Sequence, residues 1–278
     1  MSRSSYRPGR MDANLSVRIV TAAVALPLLV WLIGWAPAWL FPCVLLVLTA
    51  AALYEFFAVV FPHSPKEQWI GVIFGLGLAA IIFLETEMPA VPWLGIMLLM
   101  GFSVYLLAAG ELAERMNRLL FTLLGGLYGG FLLPHWVLLF RQPQGRAWTF
   151  WLLAVVMMGD TAAYFVGRRF GVRKLAPQIS PGKTVAGAWG YIAGAVMAGI
   201  VAAFILLEPF NWLEILLLAL AAGVLGQLGD LFESWIKRVF SVKDSGKLLP
   251  GHGGLLDRLD SLIFPAVFTS TYLRVFHP

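Results

Sequence analysis

The sequence predicts an all-α integral membrane protein, a polytopic bundle of about nine transmembrane helices with its N-terminus in the cytoplasm. Hydrophobic residues make up 60% of the 278 residues and charged residues only 13%. Because soluble domains carry about 25% charged residues, this chain has too few polar side chains to cover a surface exposed to water. The composition therefore excludes a soluble enzyme, a disordered chain, a disulfide-stapled secreted domain and a coiled coil.

Long apolar stretches, separated by charged or Pro- and Gly-containing segments, recur along the whole chain. Since a helix needs about 20 apolar residues to cross a bilayer, they predict spans near residues 15–34, 37–60, 68–85, 91–110, 118–140, 147–167, 184–207, 211–236 and 259–276. We expect one membrane domain, in which a basic cytoplasmic arm (1–14) precedes N-terminal helices (15–140) and C-terminal helices with the catalytic loops (141–278). The first span is long enough to cross, so we expect it to be retained rather than cleaved as a signal peptide.

Lysine and arginine are distributed unevenly between the predicted loops. With nine spans and a cytoplasmic N-terminus, all of the 20 basic residues except Arg141, Arg146 and Arg274 fall on the cytoplasmic side. The positive-inside rule produces this asymmetry, which supports the orientation and an odd number of spans. It also accounts for the net charge of +5 without a nucleic-acid partner, and we predict none.

Five acidic residues lie in or beside the apolar spans, near their cytoplasmic ends. They are Asp160, Asp230, Glu233, Asp257 and Asp260. A carboxylate inside a span is costly unless it faces a cavity, a partner or a metal. The last four form two pairs spaced three residues apart, which places each pair on one face of a helix. Such oxygen ligands suit a hard divalent cation. Glu55, in the second span, stands alone, and the sequence assigns it no role.

Structural roles compete for several of these acids. Glu233 and Lys237 are spaced four residues apart and can pair with each other, which is the role we favour for Glu233. Asp257 can cap the last helix, and Asp260 can pair with a basic residue beside it. Five acids that face two basic loops nevertheless favour a functional site.

The segment 234–260, between the last two spans, is the most informative part of the sequence. Four basic residues precede a Gly-His-Gly-Gly turn at 251–254, and the turn leads into the start of a helix. Glycine lets a backbone approach a ligand closely, and the N–H groups at a helix start favour an anion. Together with the acids, these features suit a polyphosphate with its Mg²⁺. A solvated basic loop would explain the lysines, but not the glycines or the regular Asp spacing.

A second loop carries Asp160, a Gly-Arg-Arg-Phe-Gly segment at 167–171 and the sequence Ser180-Pro-Gly-Lys183-Thr184. The Gly-Lys-Thr ending is similar to that of a phosphate-binding P-loop. That motif needs a glycine where this chain has Pro177, and it needs a preceding strand, which we do not predict. We therefore reject the P-loop, while a phosphate contact from the Ser, Lys and Thr stays open. Scattered histidines and a single cysteine predict no zinc site, and a Gly-x-Ser-x-Gly hydrolase elbow is absent.

The order of residues from Ser234 to Asp260 is S-x-x-K-R-x4-K-D-x-G-x3-P-G-H-G-G-x-x-D-R-x-D. It closely resembles the signature of phosphatidate cytidylyltransferases, also called CDP-diacylglycerol synthases. The segments 160–171 and 180–184 are similar to a second characteristic region of that family. The resemblance is carried by the C-terminal half, while the N-terminal half matches in general layout. Many members have an acidic or amide residue where this chain has Ala186, which puts a role for that position in doubt.

The resemblance implies transfer of the cytidylyl group of CTP to phosphatidic acid, giving CDP-diacylglycerol and pyrophosphate for phospholipid biosynthesis. It implies a Mg²⁺ site formed by Asp230, Asp257 and Asp260, with Asp160 as a supporting residue. Whether a second cation such as K⁺ also binds is left open. The triphosphate or the lipid phosphate is expected to be held by Lys237, Arg238, Lys243, Lys247 and Arg258. Further substrate contacts are expected from Ser180, Lys183, Thr184, Ser234, Gly251, His252, Gly253 and Gly254.

The same resemblance implies a homodimer. The size of the chain fits a protein of the bacterial inner membrane, and we expect the active site to face the cytoplasm because CTP is cytosolic and the predicted cytoplasmic loops carry the motifs. Two other functions stay open from the residues alone. A CTP-dependent polyprenol kinase would use the same nucleotide but release CDP. A cation or proton transporter would need carboxylates through the depth of the membrane, whereas these acids cluster at one side, beside basic loops.

Overall fold

The computed structural model describes residues 9–84, 90–207, 209–246, 248 and 253–277, and the side chains of these residues other than 9–20, 22 and 90. The N-terminal half is helical. Its elements are α1 (Gly9–Gly34), α2 (Leu40–Val60), α3 (Pro65–Phe83), α4 (Ala90–Leu106), α5 (Leu112–Gly125), a π-helical segment (Gly126–Leu132) and α6 (His135–Arg141). Of the predicted basic arm, residues 1–8 lie outside the described residues, and 9–14 belong to α1.

The C-terminal half combines long helices with a short antiparallel β-hairpin. Its elements are α7 (Gly145–Phe170), β1 (Lys174–Ala176), β2 (Ser180–Thr184), α8 (Val185–Leu206), α9 (Trp212–Val239) and α10 (Leu256–Phe276). The prediction of no strand near the Gly-Lys-Thr sequence is therefore wrong. The strands are short and largely exposed, so no alternation of apolar and polar residues revealed them. The Gly-Lys-Thr sequence lies within β2 itself and not in a turn after a strand, so the hairpin is not a P-loop.

The helices are built for a lipid environment. Among the described residues, six helices are long and apolar enough to cross a membrane: Leu40–Val60, Pro65–Phe83, Leu112–Arg141, Gly145–Phe170, Val185–Leu206 and Trp212–Val239. Large apolar side chains such as Ile73, Val201 and Phe204 are exposed on them, which suits contact with lipid rather than water. The predicted membrane-helix fold is confirmed as nearly all-α. Each predicted span overlaps a helix, while the exact number of crossings and the orientation stay predictions.

Helices α7 and α8 pack closely because small residues line their contact. A Cβ at Gly190 would lie 2.7 Å from the Cβ of Val166, and one at Gly194 would lie 2.9 Å from the carbonyl oxygen of Met158. Glycine at such positions lets two helix backbones approach each other. The packing brings the part of α7 that contains Asp160 beside the beginning of α8, where the hairpin joins it.

Helix α10 connects the two halves of the molecule. The indole Nε1 of Trp136, in α6, donates a hydrogen bond to the carbonyl oxygen of Leu262 in α10 at 3.2 Å. The ring of Tyr128, in the π-helical segment, packs against Phe232 of α9 and Phe264 of α10, with centroid distances of 5.1 and 6.2 Å. The position of α10 therefore depends on residues of the N-terminal half.

A group of polar side chains joins α3, α4 and α5, and we call it the α3–α5 cluster: Glu67, Tyr105, Glu114, Arg118 and Thr122. The Tyr105 hydroxyl donates to Oε2 of Glu67 at 2.7 Å and lies 2.8 Å from the Thr122 hydroxyl. Arg118 pairs with Oε1 of Glu67 at 3.1 Å and with Glu114 at 2.5 Å. Both carboxylate oxygens of the buried Glu67 are thus bonded to other parts of the protein.

Candidate active site

Three carboxylates from different helices approach one another, in the C-terminal parts of α7 and α9 and near the beginning of α10. They are Asp160 of α7, Asp230 of α9 and Asp260 of α10, and we call them the α7–α9–α10 cluster. The hydroxyl of Ser261 lies 3.5 Å from Oδ2 of Asp160, and the charge of Asp230 acts on the other two carboxylates. Asp260 is buried, and its Oδ1 accepts the N–H of Ser261 at 2.6 Å. The fold therefore brings together acids that lie up to 100 residues apart in sequence.

Asp230 is at the centre of the polar contacts of this cluster. Lys183 Nζ, from β2, lies 2.7 Å from Oδ2 of Asp230, and the hydroxyl of Ser234 donates to Oδ1 at 3.3 Å. The side chains of Lys183 and Asp230 are 26% and 29% exposed, so a molecule from outside can reach the ion pair. The structure thus places three of the predicted site residues in contact, one from β2 and two from α9.

A cavity of about 400 Å³ opens beside the ion pair, between α7, the hairpin, α8 and α9. Its polar lining residues are Asp160, Tyr164, Arg168, Lys174, Lys183, Thr184, Tyr191, Gln227 and Asp230. Sites for small molecules commonly span about 300–1,000 Å³, so the cavity is of a suitable size for part of a nucleotide or a lipid headgroup. A larger cavity of about 790 Å³ lies at the opposite end of α9, around Trp212 and His277, and none of the predicted site residues lines it.

The donor atoms of the α7–α9–α10 cluster are of the type that Mg²⁺ prefers, namely carboxylate and hydroxyl oxygens. Among the described residues, however, no three His, Cys, Asp or Glu side chains are gathered closely enough to form a ready metal site. One oxygen of Asp230 is paired with Lys183 instead. The oxygen donors are therefore of the right type for a divalent cation. In this structure, however, Lys183 pairs with one of these acids.

Asp257 and Lys237 lie in a different group, together with Glu233. Lys237 pairs with Glu233, as favoured from the sequence and now confirmed, and its Nζ also lies 2.5 Å from Oδ1 of Asp257. Oδ2 of Asp257 accepts the N–H groups of Ser245 at 3.0 Å and Gly254 at 2.9 Å. These donors precede α10, whereas helix capping by Asp257 would require N–H groups of its first turn.

The contacts of Asp257 also determine its charge. Burial alone would raise the pKa of this carboxyl, but the hydrogen bond and charge of Lys237 and the two backbone N–H donors together hold the pKa below its ordinary value. Asp257 is therefore ionised at neutral pH. Both of its oxygens are bonded within the protein, and it fixes the segment before α10 to the helix itself.

Several predicted phosphate-binding residues have structural contacts. Arg238 donates through Nε to the carbonyl oxygen of Ile179 at 3.1 Å and through a terminal nitrogen to that of Val242 at 3.0 Å, which joins the hairpin turn to the end of α9. The Thr184 hydroxyl accepts the N–H of Gly187 at 3.0 Å and caps α8.

The remaining predicted residues do not line the 400 Å³ cavity, or they fall outside the described part of the chain. Lys243 and Arg258 are exposed, and Ser180 begins β2. Gly253 has a φ of +85°, a left-handed conformation that favours glycine. Three further predictions, Lys247, Gly251 and His252, fall on residues outside the described part of the chain.

Comparison with known proteins decides the family. Residues 16–276 match the family model described as the cytidylyltransferase family. The chain belongs to the cytidylyltransferase family. It is 35% identical to a phosphatidate cytidylyltransferase of Brucella suis over 265 residues, which cover 95% of each chain. It is 41% identical to one from Bacillus subtilis over 157 residues, covering 56% of this chain and 58% of the relative. The resemblance seen in the sequence is confirmed.

In this cytidylyltransferase-family protein, the cavity is also lined by residues that the sequence analysis did not assign, among them Tyr191 and Gln227. The hydroxyl of Tyr191 is buried and has no hydrogen-bond partner among the described residues. Gln227 lies three residues before Asp230, on the same face of α9. A single amide three residues before Asp230 in an apolar helix could have indicated Gln227 as a site residue. An isolated tyrosine in the apolar α8 gave no such indication for Tyr191.

Glu55 is a third residue that the sequence analysis left without a role. Its Oε2 accepts hydrogen bonds from the Ser245 hydroxyl and the Leu256 N–H. These partners are 190 and 201 residues away along the chain, so no local pattern could indicate them.

Proposed function

We propose that this protein transfers the cytidylyl group of CTP to phosphatidic acid, giving CDP-diacylglycerol and pyrophosphate for phospholipid biosynthesis. The observation that carries the proposal is the Lys183–Asp230 ion pair in the wall of a 400 Å³ cavity, where acids of three membrane-bundle helices approach one another. Relatives named phosphatidate cytidylyltransferase, one of which aligns with 95% of the chain, support the same reaction.

The reaction needs positioning and charge compensation more than proton transfer. A phosphate oxygen of phosphatidic acid forms a bond to the α-phosphorus of CTP, while the bond to the bridging oxygen breaks and pyrophosphate leaves. Because the attacking phosphate is already ionised, no strong general base is required. Aligning the two phosphates and offsetting their negative charge can supply most of the rate enhancement. Lys183 brings a positive charge to the wall of the cavity in which we place this step.

We propose that Mg²⁺ is held by oxygens of Asp230, Asp160 and Asp260, and that a second cation such as K⁺ binds beside it. A bound divalent cation offsets charge on the phosphates during transfer. For Asp257, the predicted role as a ligand competes with its bonds to Lys237, Ser245 and Gly254. We propose that it instead orients the segment that leads into α10.

Two of the basic residues, Lys237 and Arg238, bond to carboxylates or backbone carbonyls of the protein, although Arg238 is exposed in the same way as Lys243 and Arg258. Lys243 and Arg258 are exposed, and we propose that they hold the triphosphate or the lipid phosphate together with Lys247. Lys237 is only 11% exposed and is paired with two carboxylates, while Arg238 bonds to backbone carbonyls. We propose that these two support the site through the protein rather than through the substrate.

The location of the site follows from the same proposal. CTP is a cytosolic nucleotide and phosphatidic acid a membrane lipid, so the cavity should open to the cytoplasm at the surface of a bacterial inner membrane. The basic residues on the proposed cytoplasmic side support this orientation. A homodimer is a further prediction that rests on the family resemblance.

The direct test is an assay in detergent micelles with phosphatidic acid, radiolabelled CTP and Mg²⁺. We expect label to enter the lipid, pyrophosphate to be released in equal amount, and both to be lost with EDTA. Phosphorylation of a polyprenol with release of CDP would instead show the kinase. Folded protein that yields neither product would overturn the proposal, and ion flux into liposomes would then test the transporter.

A further inference from the structure

Glu55 extends from α2, in the N-terminal half, to the segment between α9 and α10. Its side chain is buried, with 3% of the residue exposed. Oε2 accepts hydrogen bonds from the Ser245 hydroxyl at 3.2 Å and from the Leu256 N–H at 2.9 Å. Since Leu256 is the first residue of α10, one carboxylate is bonded both to the segment that follows α9 and to the beginning of α10.

Two glycines lie directly against the same carboxylate. A Cβ at Gly246 would overlap the carboxylate group of Glu55, and a Cβ at Gly254 would lie 2.8 Å from its Oε2. Contacts this short do not occur for real Cβ atoms, so a larger residue at either position would displace Glu55 or the backbone. The Glu55 carboxylate is therefore held by close packing against the two glycines as well as by hydrogen bonds.

Asp257 bonds to the same short segment from the other side. Ser245 is held by Glu55 through its hydroxyl and by Asp257 through its N–H. Asp257 lies in the first turn of α10, and Asp260 follows three residues later on the same helix. A shift of the Glu55 carboxylate would thus move the first turn of α10 and both of its acids.

We infer that Glu55 is a positioning residue, which fixes the first turn of α10 and thereby orients Asp257 and Asp260; this inference rests on the proposed function. Glu55 does not line the 400 Å³ cavity, so it acts through α10 and not on the substrate. A buried carboxylate in a membrane helix is costly, and the hydrogen bonds from Ser245 and from the start of α10 offset part of that cost. The hydrogen bond from Trp136 to Leu262, another contact of α10 with the N-terminal half, lies further along the helix.

The kinetic test compares two buried carboxylates of the N-terminal half. Glu55→Ala and Glu55→Gln are measured beside Glu67→Gln, a matched control whose bonds among the described residues are to Tyr105 and Arg118 of the α3–α5 cluster. Loss of hydrogen bonds to a buried charged group corresponds to at least about a tenfold effect. We expect Glu55→Ala to lower kcat by at least that factor and to raise the Mg²⁺ concentration for half-maximal activity. Glu55→Gln should recover part of the loss, because its amide oxygen can still accept a hydrogen bond.

If Glu55 had only a structural role, the same variants would behave differently. In that case all three would lower the melting temperature and the yield of folded protein, with kcat and Mg²⁺ dependence per folded molecule within about twofold of the wild type. That result for Glu55→Ala would overturn the inference. If Glu55→Ala does not fold, the test uses Glu55→Gln, Ser245→Ala and the double variant. Losses of kcat that are not additive in the double variant support the inference. Additive losses contradict it.

A second measurement does not depend on catalysis. Hydrogen–deuterium exchange of the peptide spanning 253–262 reports directly on the first turn of α10. We expect faster exchange there in the Glu55 variants and unchanged exchange in Glu67→Gln. Unchanged exchange in the Glu55 variants would overturn the inference even if the enzyme were active. If the wild-type protein showed no cytidylyl transfer, the proposed function would be overturned. The exchange measurement would still show whether Glu55 fixes the first turn of α10, so the two failures can be told apart.

Discussion

The α3–α5 cluster and the α7–α9–α10 cluster both place carboxylates inside a bundle of apolar helices, yet they are compensated in different ways. In the first, both oxygens of Glu67 are bonded to Tyr105 and Arg118. In the second, Asp160 and Asp230 line a cavity with Asp260 buried nearby, and Lys183 is the cation in direct contact with Asp230. The carboxylate of Glu67 is fully bonded without any further molecule, whereas the second cluster gathers more carboxyl groups than its contacting lysine can pair with.

This difference separates buried charge that holds a fold together from buried charge that serves a reaction. A carboxylate with partners on every side gains little from a ligand, because a ligand would first have to displace those partners. Acids that repel one another next to an open cavity gain from a cation and from substrates that arrive with it. Substitutions in the first cluster should therefore change stability, and those in the second should change catalysis.

The largest expected effect is that of Asp230→Asn. This variant removes the negative charge that contacts Lys183 and that we propose for Mg²⁺, while the size of the side chain is kept. Loss of one electrostatic contact of the transition state typically costs about 100- to 1,000-fold, and we expect a loss of kcat near the upper end. The rate per folded molecule is measured in micelles, with elution on size exclusion as the check of folding. A variant that keeps more than a tenth of the activity would contradict the placement of Asp230 in the site.

The second expected effect is that of Lys183→Ala, at about 100-fold in kcat/KM. Lys183 is one-quarter exposed at the wall of the cavity, so its loss should remove a phosphate contact and leave the helices in place. Lys183→Arg should retain part of the activity because it keeps the charge with a different shape. Lys174→Ala, at the same cavity, serves as a comparison. Equal losses in both variants would show that general positive charge matters, not the contact with Asp230.

The third effect concerns stability and belongs to the other cluster. Glu67→Gln leaves Arg118 without one of its two carboxylate partners. Because Arg118 is 29% exposed, solvent reduces the penalty, and we expect a loss of about 1–2 kcal/mol. Thermal unfolding in detergent measures it, with activity per folded molecule as the second readout. A change in KM or kcat beyond about twofold would break the distinction between the two clusters.

The smallest effect is expected for Glu114→Gln, at the edge of the α3–α5 cluster. Its ion pair with Arg118 is a helical i, i+4 contact, and the Glu114 side chain is 56% exposed. Exposed pairs of this kind contribute about 0.3–0.5 kcal/mol, so the melting temperature should fall by a degree or so at most. Raising the salt concentration should remove the difference between variant and wild type. A larger loss would show that Glu114 is needed to orient Arg118 towards Glu67.

The sequence predicted the parts of this molecule that depend on local composition. Runs of apolar residues define the helices, because the membrane leaves little choice of backbone structure. The i, i+4 spacing was enough to predict the pair of Glu233 and Lys237. Lys183 and Asp230 were each selected from their own loop, although nothing in the sequence showed that they touch.

Contacts between distant segments could not be predicted in this way. Asp257 was placed with the metal-binding acids on spacing alone, while its oxygens bond to Lys237 and to backbone N–H groups of the preceding segment. The hairpin was missed because both strands are short and β2 contains Pro and Gly. Glu55 was left without a role because its partners come from the last part of the chain.

The distance in sequence between Glu55 and its partners has a consequence for how the protein is made. During synthesis, α2 is complete once Val60 has been added, whereas the Leu256 N–H appears 201 residues after Glu55. Until then the Glu55 carboxylate has neither Ser245 nor α10 to bond to, and a chain that stops early leaves it without them. Chains truncated before α10 should therefore be poorly packed in their N-terminal half as well, and be degraded as a whole rather than accumulate as a stable fragment.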